Sequence, residues 1–95
     1  MRNIAIVSAK RTPIGRYKGK LRDYSAVELG TAALKAAVEA IDIDPSTIQQ
    51  VIFGNVLQSG VGQNPARQIA IKAGLPNTPP AMTINEVCGL SLIHI

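Results

Sequence analysis

The chain has 95 residues, of which 46% are hydrophobic, and it carries a formal net charge of +4. This length suits one small domain, and the hydrophobic content is ordinary for a protein with an apolar core, so the composition excludes intrinsic disorder. No stretch approaches the roughly 18 apolar residues that span a bilayer, and no apolar signal region follows Met1. With a single cysteine, the sequence excludes an internal disulfide framework and predicts a cytoplasmic protein.

A basic stretch near the amino terminus holds most of the positive charge. It contains Lys10, Arg11, Arg16, Lys18, Lys20 and Arg22 and no carboxylate. Such a stretch could attract a polyanion such as nucleic acid. The chain has only two tyrosines and one phenylalanine for stacking on bases, however, and no motif that reads them. We therefore interpret the stretch as a solvated loop and predict no nucleic-acid partner and no membrane partner.

The first half of the chain predicts a strand followed by a helix. Residues 4–7 form a short apolar, β-branched run that is typical of a buried parallel strand. Ser25, with Glu28 three residues later, is a capping-box signature and predicts that a helix begins there. The apolar face of this helix is formed by Val27, Ala33, Leu34, Ala37, Val38 and Ile41.

A second strand and a second helix follow. Residues 51–56 predict a buried strand. The glycine-rich loop at residues 59–62 lacks the spacing of nucleotide-binding loops, and we interpret it as a connection. Asn64 as N-cap and Pro65 at the first helical position predict a short helix, which Gly74 closes.

The last predicted strand ends at the only cysteine. A proline-rich tract at residues 76–80 leads into a β-like run at 81–87, which ends at Cys88, where a third helix is expected to begin. The order β-α-β-α-β predicts an α/β fold with a mostly parallel sheet. Ligands of such sheets bind beyond the carboxyl ends of the strands, and the sequence places Cys88 there.

Cys88 is the candidate nucleophile of the chain. The thiolate is the reactive form of cysteine, and the start of a helix favours it through free backbone N–H groups and the helix dipole. The alternative is that Cys88 is a small buried hydrophobic residue, which is the commoner fate of a free cysteine. Position alone does not decide between the two interpretations.

Four segments carry a resemblance to one family. Residues 83–89, Thr-Ile-Asn-Glu-Val-Cys-Gly, resemble the nucleophile segment of the thiolases, whose pattern is Asn-x-x-Cys-x-Ser-Gly. Three further stretches occur in the same order as in that family, at residues 11–16, 25–30 and 62–68. The sequence therefore resembles the thiolase family, which comprises acetyl-CoA acetyltransferases and 3-ketoacyl-CoA thiolases. The resemblance runs from Ile4 to Gly89.

The resemblance implies an incomplete thiolase-like N-terminal half that ends at the start of the nucleophile helix. Residues 1–89 are expected to be part of the thiolase N-terminal domain. After its Cys-x the family continues with Ser-Gly and a helix of small and apolar residues, whereas this chain reads Leu-Ser-Leu-Ile-His-Ile. We therefore expect residues 90–95 to be a non-native tail.

The resemblance also implies a reaction. Cys88 would attack an acyl-CoA thioester, and the resulting acyl-enzyme would condense with a second acetyl-CoA to acetoacetyl-CoA, or 3-ketoacyl-CoA would be cleaved in reverse. The resemblance implies CoA thioesters as substrates, and neither a bound cofactor nor a metal is expected. The family's histidine, second cysteine and oxyanion donors lie in its later half, so this chain alone is expected to be inactive and His94 is not assigned to catalysis. A homodimer or homotetramer is expected for the full-length protein.

Two alternatives remain open at this point. The chain could be a non-enzymatic, truncated α/β module, or a fragment of a ketoacyl synthase, which also uses a cysteine at a helix start. The context Asn85-x-x-Cys88 and the loop Arg11-Thr12-Pro13-x-Gly15 favour thiolase. Asn64 and Arg67 are interpreted as a helix cap and a surface or interface residue rather than as catalysts.

Overall fold

A computed structural model describes residues 2–90 of the chain. Helix α1 (Ala26–Glu39), a 3₁₀ turn (Pro45–Thr47), strand β1 (Val51–Gly54), helix α2 (Pro65–Lys72) and strand β2 (Ala81–Ile84) follow one another. β1 and β2 pair in parallel, with Val51 opposite Ala81 and Gly54 opposite Ile84. Because α2 connects two parallel neighbouring strands, these elements form a β-α-β unit. The α/β class and the parallel sheet predicted from the sequence are confirmed.

Helix α1 begins where the capping box predicts. The N–H of Glu28 donates to Oγ of Ser25 over 3.0 Å, and the N–H of Ser25 donates to the Glu28 carboxylate over 2.9 Å. Val27 is buried, and Leu34 and Val38 pack against the core of the β-α-β unit. No helix among residues 2–90 is both long and apolar enough to cross a membrane.

Gly30 lets α1 approach α2 closely. A Cβ at this position would lie too near the Ile69 side chain and 3.3 Å from the ring of Phe53. We expect Gly30→Val to lower the free energy of unfolding by about 1–3 kcal/mol, because the added methyl groups overpack this contact. Thermal unfolding followed by circular dichroism measures the change.

Ala36→Val is the matched control for Gly30→Val, because Ala36 is exposed on the same helix. It reports the cost of a β-branched residue in α1, which is below about 1 kcal/mol. Because valine forms helices better than glycine, a Gly30→Val variant at least as stable as the original protein would show that the close approach of the helices contributes nothing.

Helix α2 and the turn after it form the centre of the core. The N–H of Gly74 donates to the carbonyl oxygen of Ile71 over 3.1 Å, and the N–H of Leu75 donates to that of Ala70 over 3.0 Å. With Gly74 at a φ of 88°, this pair of bonds is a Schellman motif. The motif turns the chain so that Leu75 is buried beside Ala70 and Val51.

The 3₁₀ turn is held by a side-chain cap. The carboxylate of Asp44 accepts a hydrogen bond of 3.0 Å from the N–H of Ser46, and Pro45 occupies the first position of the turn. Hydrogen bonds from the backbone and the hydroxyl of Ser46 lower the pKa of Asp44 below its ordinary value of 3.8. The cap therefore stabilises the turn above that pH, and its contribution is lost as the pH falls through the lowered pKa.

The first predicted strand is absent. Residues 4–7 form no strand, and Ile4, Ile6 and Val7 are 79%, 87% and 69% exposed. The apolar run identifies a segment with high β-propensity, but a strand also requires a neighbouring strand and covered faces. The two strands among residues 2–90 pair only with each other, so the predicted order β-α-β-α-β is wrong in its first element.

Candidate active site

Cys88 lies in the turn at residues 86–89, and its side chain is exposed. It follows the carboxyl end of β2, as predicted, but β2 ends at Ile84, and the predicted strand through Val87 is too long. The pairing stops because β1 ends at Gly54, and the N–H of Asn55 then donates to the Ile84 carbonyl oxygen over 2.9 Å. The cysteine therefore stands on a turn beyond the paired strands.

Two predictions around Cys88 lie partly or wholly outside the described residues. Cys88 is in the turn, so the predicted third helix does not begin at Cys88. The residues that this helix was expected to occupy extend past Leu90, beyond the described part. His94 and most of the suspected tail at residues 90–95 are also outside the described part.

The turn that carries Cys88 is strained. The N–H of Gly89 donates to the carbonyl oxygen of Glu86 over 2.8 Å, and Val87, the first of the two central residues, has a φ of 51°. A positive φ at this position suits glycine, and a β-branched residue there costs about 1–3 kcal/mol. Such outliers concentrate at functional sites, where the surrounding structure holds them.

The start of α2 is connected directly to β2. Pro65 has no N–H, the N–H of Ala66 donates to Oγ of Thr83 over 2.9 Å, and that of Arg67 donates to Oδ1 of Asn64 over 3.3 Å. Oγ of Thr83 in turn donates to Oδ1 of Asn64 over 2.8 Å. Because the first-turn donors are taken by side chains of the protein, this helix start is a structural joint rather than an anion site. The predicted cap role of Asn64 is confirmed.

Arg67 holds the loop that leads into β2. Its guanidinium donates to the carbonyl oxygens of Pro79, over 3.2 Å, and Asn77, over 3.0 Å. Nδ2 of Asn64 adds a bond of 3.1 Å to the carbonyl oxygen of Ala81. Arg67 is half-buried, so these bonds add a structural role, and its interpretation as a surface or interface residue stays a prediction. Both side chains fix the start of β2, the strand that leads to Cys88.

Gln68 holds the glycine-rich loop in the same manner. Its Nε2 donates to the carbonyl oxygens of Val61, over 2.9 Å, and Gln63, over 2.8 Å. A side chain on Gly62, which has a φ of 81°, would collide with this amide. The loop therefore serves as a connection between β1 and α2.

Thr83→Val tests the joint between α2 and β2. Valine keeps the shape of threonine, but it leaves the N–H of the fully buried Ala66 without its partner. We expect a loss of about 1–3 kcal/mol in the free energy of unfolding, the cost of an unpaired buried donor. Chemical denaturation of the two proteins measures it.

Thr31→Val is the control for this substitution. Oγ of Thr31 donates to the carbonyl oxygen of Val27 inside α1, so its removal leaves no buried donor unpaired. A Thr83→Val variant as stable as Thr31→Val would contradict the proposed importance of the joint.

The basic stretch is an exposed loop. Arg22 and Asp23 approach within 3.9 Å as a solvent-exposed ion pair, which contributes little to stability. Nζ of Lys18 lies 5.5 Å from the ring centroid of Tyr17. Two clefts along this loop are lined by residues 13–23, and a third is shared with Glu28, Leu29 and Ala32 of α1. Cys88 lines none of the three.

Sequence reasoning missed the contacts of Arg67 and Thr83 and the unpaired amide of Asn55. Arg67 bonds carbonyl groups ten and twelve residues away, and Thr83 bonds a cap nineteen residues away. Nδ2 of Asn55 is buried without a hydrogen-bond partner among the described residues. The sequence motif shows that these residue types occur near one another in the chain. No rule based on local spacing identifies hydrogen-bond partners that are ten to nineteen residues away.

Comparison with known proteins gives the chain its family. The family model described as "Thiolase, N-terminal domain" matches residues 4–95. A probable acetyl-CoA acetyltransferase of Escherichia coli K12 is 52% identical over 97 aligned residues, which cover 100% of this chain and 25% of that protein. A cytosolic acetyl-CoA acetyltransferase of Gibberella zeae is 54% identical over 89 residues, covering 94% of this chain and 22% of that protein.

A solved structure agrees with these relatives. The crystal structure of the Acat5 thiolase from Ascaris suum in complex with coenzyme A superposes with a TM-score of 0.85 at 43% sequence identity. The match covers 90% of this chain and 22% of that one. The fold is therefore that of an incomplete thiolase-like half, as predicted.

This β-α-β unit, with a cysteine beyond its strands, thus has the fold and sequence of a thiolase N-terminal domain. The chain belongs to the thiolase family. It spans about a quarter of the length of the curated relatives it matches. The expectation that residues 90–95 are foreign to the family stays a prediction.

Proposed function

We propose that the chain is the N-terminal part of an acetyl-CoA acetyltransferase and that Cys88 is the nucleophile. The observation that carries the proposal is the exposed Cys88 in its Asn-x-x-Cys segment beyond the paired strands of a thiolase domain. The edge of β1 that has no neighbouring strand among the described residues also supports a longer protein. A cleft of about 440 Å³ beside β1 is lined by Leu34, Ile48, Gln50, Val51, Ile52, Phe53 and Leu75.

The proposed reaction proceeds in two halves. The thiolate of Cys88 attacks the carbonyl carbon of an acyl-CoA thioester, the bond to the CoA sulfur breaks, and CoA leaves as acyl-Cys88 forms. A second acetyl-CoA, deprotonated at its α-carbon, then attacks the acyl carbon, and the Cys88 thiolate leaves. The product is acetoacetyl-CoA. In reverse, the thiol of CoA cleaves a 3-ketoacyl-CoA through the same acyl-enzyme.

The remaining catalytic groups are assigned to the rest of the protein. A base must take the proton of the thiol, an acid/base group must serve the α-carbon, and hydrogen-bond donors must stabilise the thioester oxygens. The family resemblance assigns these roles to a histidine, a second cysteine and donors of the later half. We propose that the 95-residue chain is inactive without them, and His94 is not among them.

The experiment is an assay of the complete protein, meaning the product of the full reading frame that contains this chain. Consumption of acetoacetyl-CoA is followed with CoA as the second substrate, and condensation is followed with acetyl-CoA alone. The proposal predicts turnover in both directions. Turnover only with a malonyl thioester, with release of carbon dioxide, would identify a ketoacyl synthase instead and contradict the proposal.

We further propose that the complete protein is a cytoplasmic homodimer or homotetramer that needs no bound cofactor and binds neither nucleic acid nor membrane. The family resemblance supports the oligomer, and the Gibberella zeae relative is itself described as cytosolic. The cofactor proposal follows from the chemistry, since acyl transfer to Cys88 and the carbon–carbon bond formation that follows involve no net oxidation or reduction. Light scattering coupled to gel filtration gives the subunit number, and a monomeric mass would contradict the oligomer.

A further inference from the structure

Asn55 stands at the carboxyl end of β1, beside the segment that carries Cys88. Gly54 is paired with Ile84, and the N–H of Asn55 donates to the carbonyl oxygen of Ile84 over 2.9 Å. In the parallel register Asn55 therefore lies level with Asn85, three positions before Cys88. The side chain of Asn55 thus begins next to the turn.

The carboxamide of Asn55 has a buried donor without an acceptor. Its Nδ2 is shielded from solvent and makes no hydrogen bond among the described residues. Buried polar groups in native proteins are almost always paired, so an orphaned NH₂ requires an explanation. The main-chain carbonyl oxygen of Asn55, by contrast, accepts a bond of 2.8 Å from Nε2 of Gln58.

The turn at residues 86–89 needs the restraint that such a donor supplies. Val87 occupies the left-handed region at a φ of 51°, and the bond between Gly89 and Glu86 closes the turn. A β-branched residue keeps this conformation only where its surroundings enforce it. The strained turn and the unpaired donor are independent observations. The turn follows the end of β2, and Asn55 follows the end of the neighbouring strand β1.

We infer that Asn55 is a positioning residue for Cys88. The described chain does not make such a bond, but in the complete protein we expect Nδ2 to donate to a main-chain carbonyl oxygen of residues 85–88 and so to fix the turn. The sulfur of Cys88 is thereby held on the line of attack toward the thioester carbon. This inference rests on the proposed function, because it assigns Asn55 a task in the acylation of Cys88.

Asn55→Ala in the complete protein tests the restraint. Without the donor the turn relaxes, and a nucleophile misplaced by about 1 Å loses roughly 10²-fold in rate. We therefore expect kcat for thiolysis to fall about 10-fold to 100-fold, with KM for acetoacetyl-CoA within about twofold of its original value. Ser59→Ala, an exposed position in the loop after β1, should leave both constants unchanged.

Asn55→Asp tests proximity, and it keeps the shape of the side chain if the alanine variant fails to fold. A carboxylate near the sulfur disfavours the thiolate, so the pH–rate profile for alkylation of Cys88 by iodoacetamide should move to higher pH by about one unit. Mass spectrometry of the peptide containing Cys88 measures this rate without reference to turnover. Ser59→Asp adds the same charge at an exposed site and should leave the profile in place.

The outcomes separate the inference from the proposed function. Variants of Asn55 that lower only the unfolding temperature, with kcat and the alkylation profile of the original protein, would overturn the positioning role. If the Cys88→Ser variant of the complete protein turned over substrate as fast as the original protein, the proposed function would instead be overturned. The alkylation profile would then still report whether Asn55 lies beside the sulfur.

Discussion

Replacing Cys88 by serine is expected to reduce thiolysis by the complete protein roughly 10⁴-fold or more, as is found when a catalytic nucleophile is removed. The hydroxyl of serine is almost fully protonated near neutral pH, and it attacks a thioester far more slowly than a thiolate does. The loss should appear in kcat/KM for acetoacetyl-CoA, measured by its CoA-dependent disappearance.

Stability provides the control for Cys88→Ser. Because Cys88 is exposed on a turn, the substitution should leave the unfolding temperature unchanged. A variant that keeps more than about a tenth of the original rate would show that the acyl group is not carried by this sulfur.

The 95-residue chain alone is expected to show no turnover of acetoacetyl-CoA. One nucleophile cannot complete the reaction without a base, a second acid/base group and oxyanion donors, and together these account for most of the rate enhancement in acyl transfer. Iodoacetamide should alkylate the exposed Cys88 of this chain at the rate of N-acetylcysteine amide.

The complete protein, assayed at the same molar concentration, is the positive control for this prediction. Turnover by the short chain that disappears in its Cys88→Ser variant would contradict it. Such a result would mean that the groups needed for acyl transfer lie within these 95 residues.

Both helices could be predicted from the sequence because their signals are local. Ser25 and Glu28 bond each other within one turn, and Asn64, Pro65 and Gly74 act on their own helix. Helix caps depend on hydrogen bonds between residues about two to five positions apart, so the spacing of these residues in the sequence is enough to predict them.

The strands were predicted less accurately because pairing is not local. Residues 4–7 have the composition of a strand but no strand beside them in the described structure. At the other end, β-propensity continues through Val87, whereas pairing stops at Ile84 because β1 ends opposite it. Propensity identifies a segment that suits a sheet, and the neighbouring strand decides where it ends.

The candidate site divides in the same way. Cys88 could be identified as a candidate nucleophile because it is the single cysteine of the chain and follows a β-like run. The Asn-x-x-Cys motif around it then indicated the thiolase family. Arg67 could not be understood, because its carbonyl partners belong to a loop ten and twelve residues away. The strain at Val87 and the unpaired amide of Asn55 are visible only in three dimensions.

The central claim is that Cys88 carries the acyl group, and the most direct test is the mass of its peptide. The complete protein is mixed with acetyl-CoA, quenched with acid, digested and analysed by mass spectrometry. The account predicts one acetyl group on the peptide containing Cys88, and its loss when free CoA is added before the quench. An active protein whose Cys88 peptide never gains an acetyl group would contradict the account.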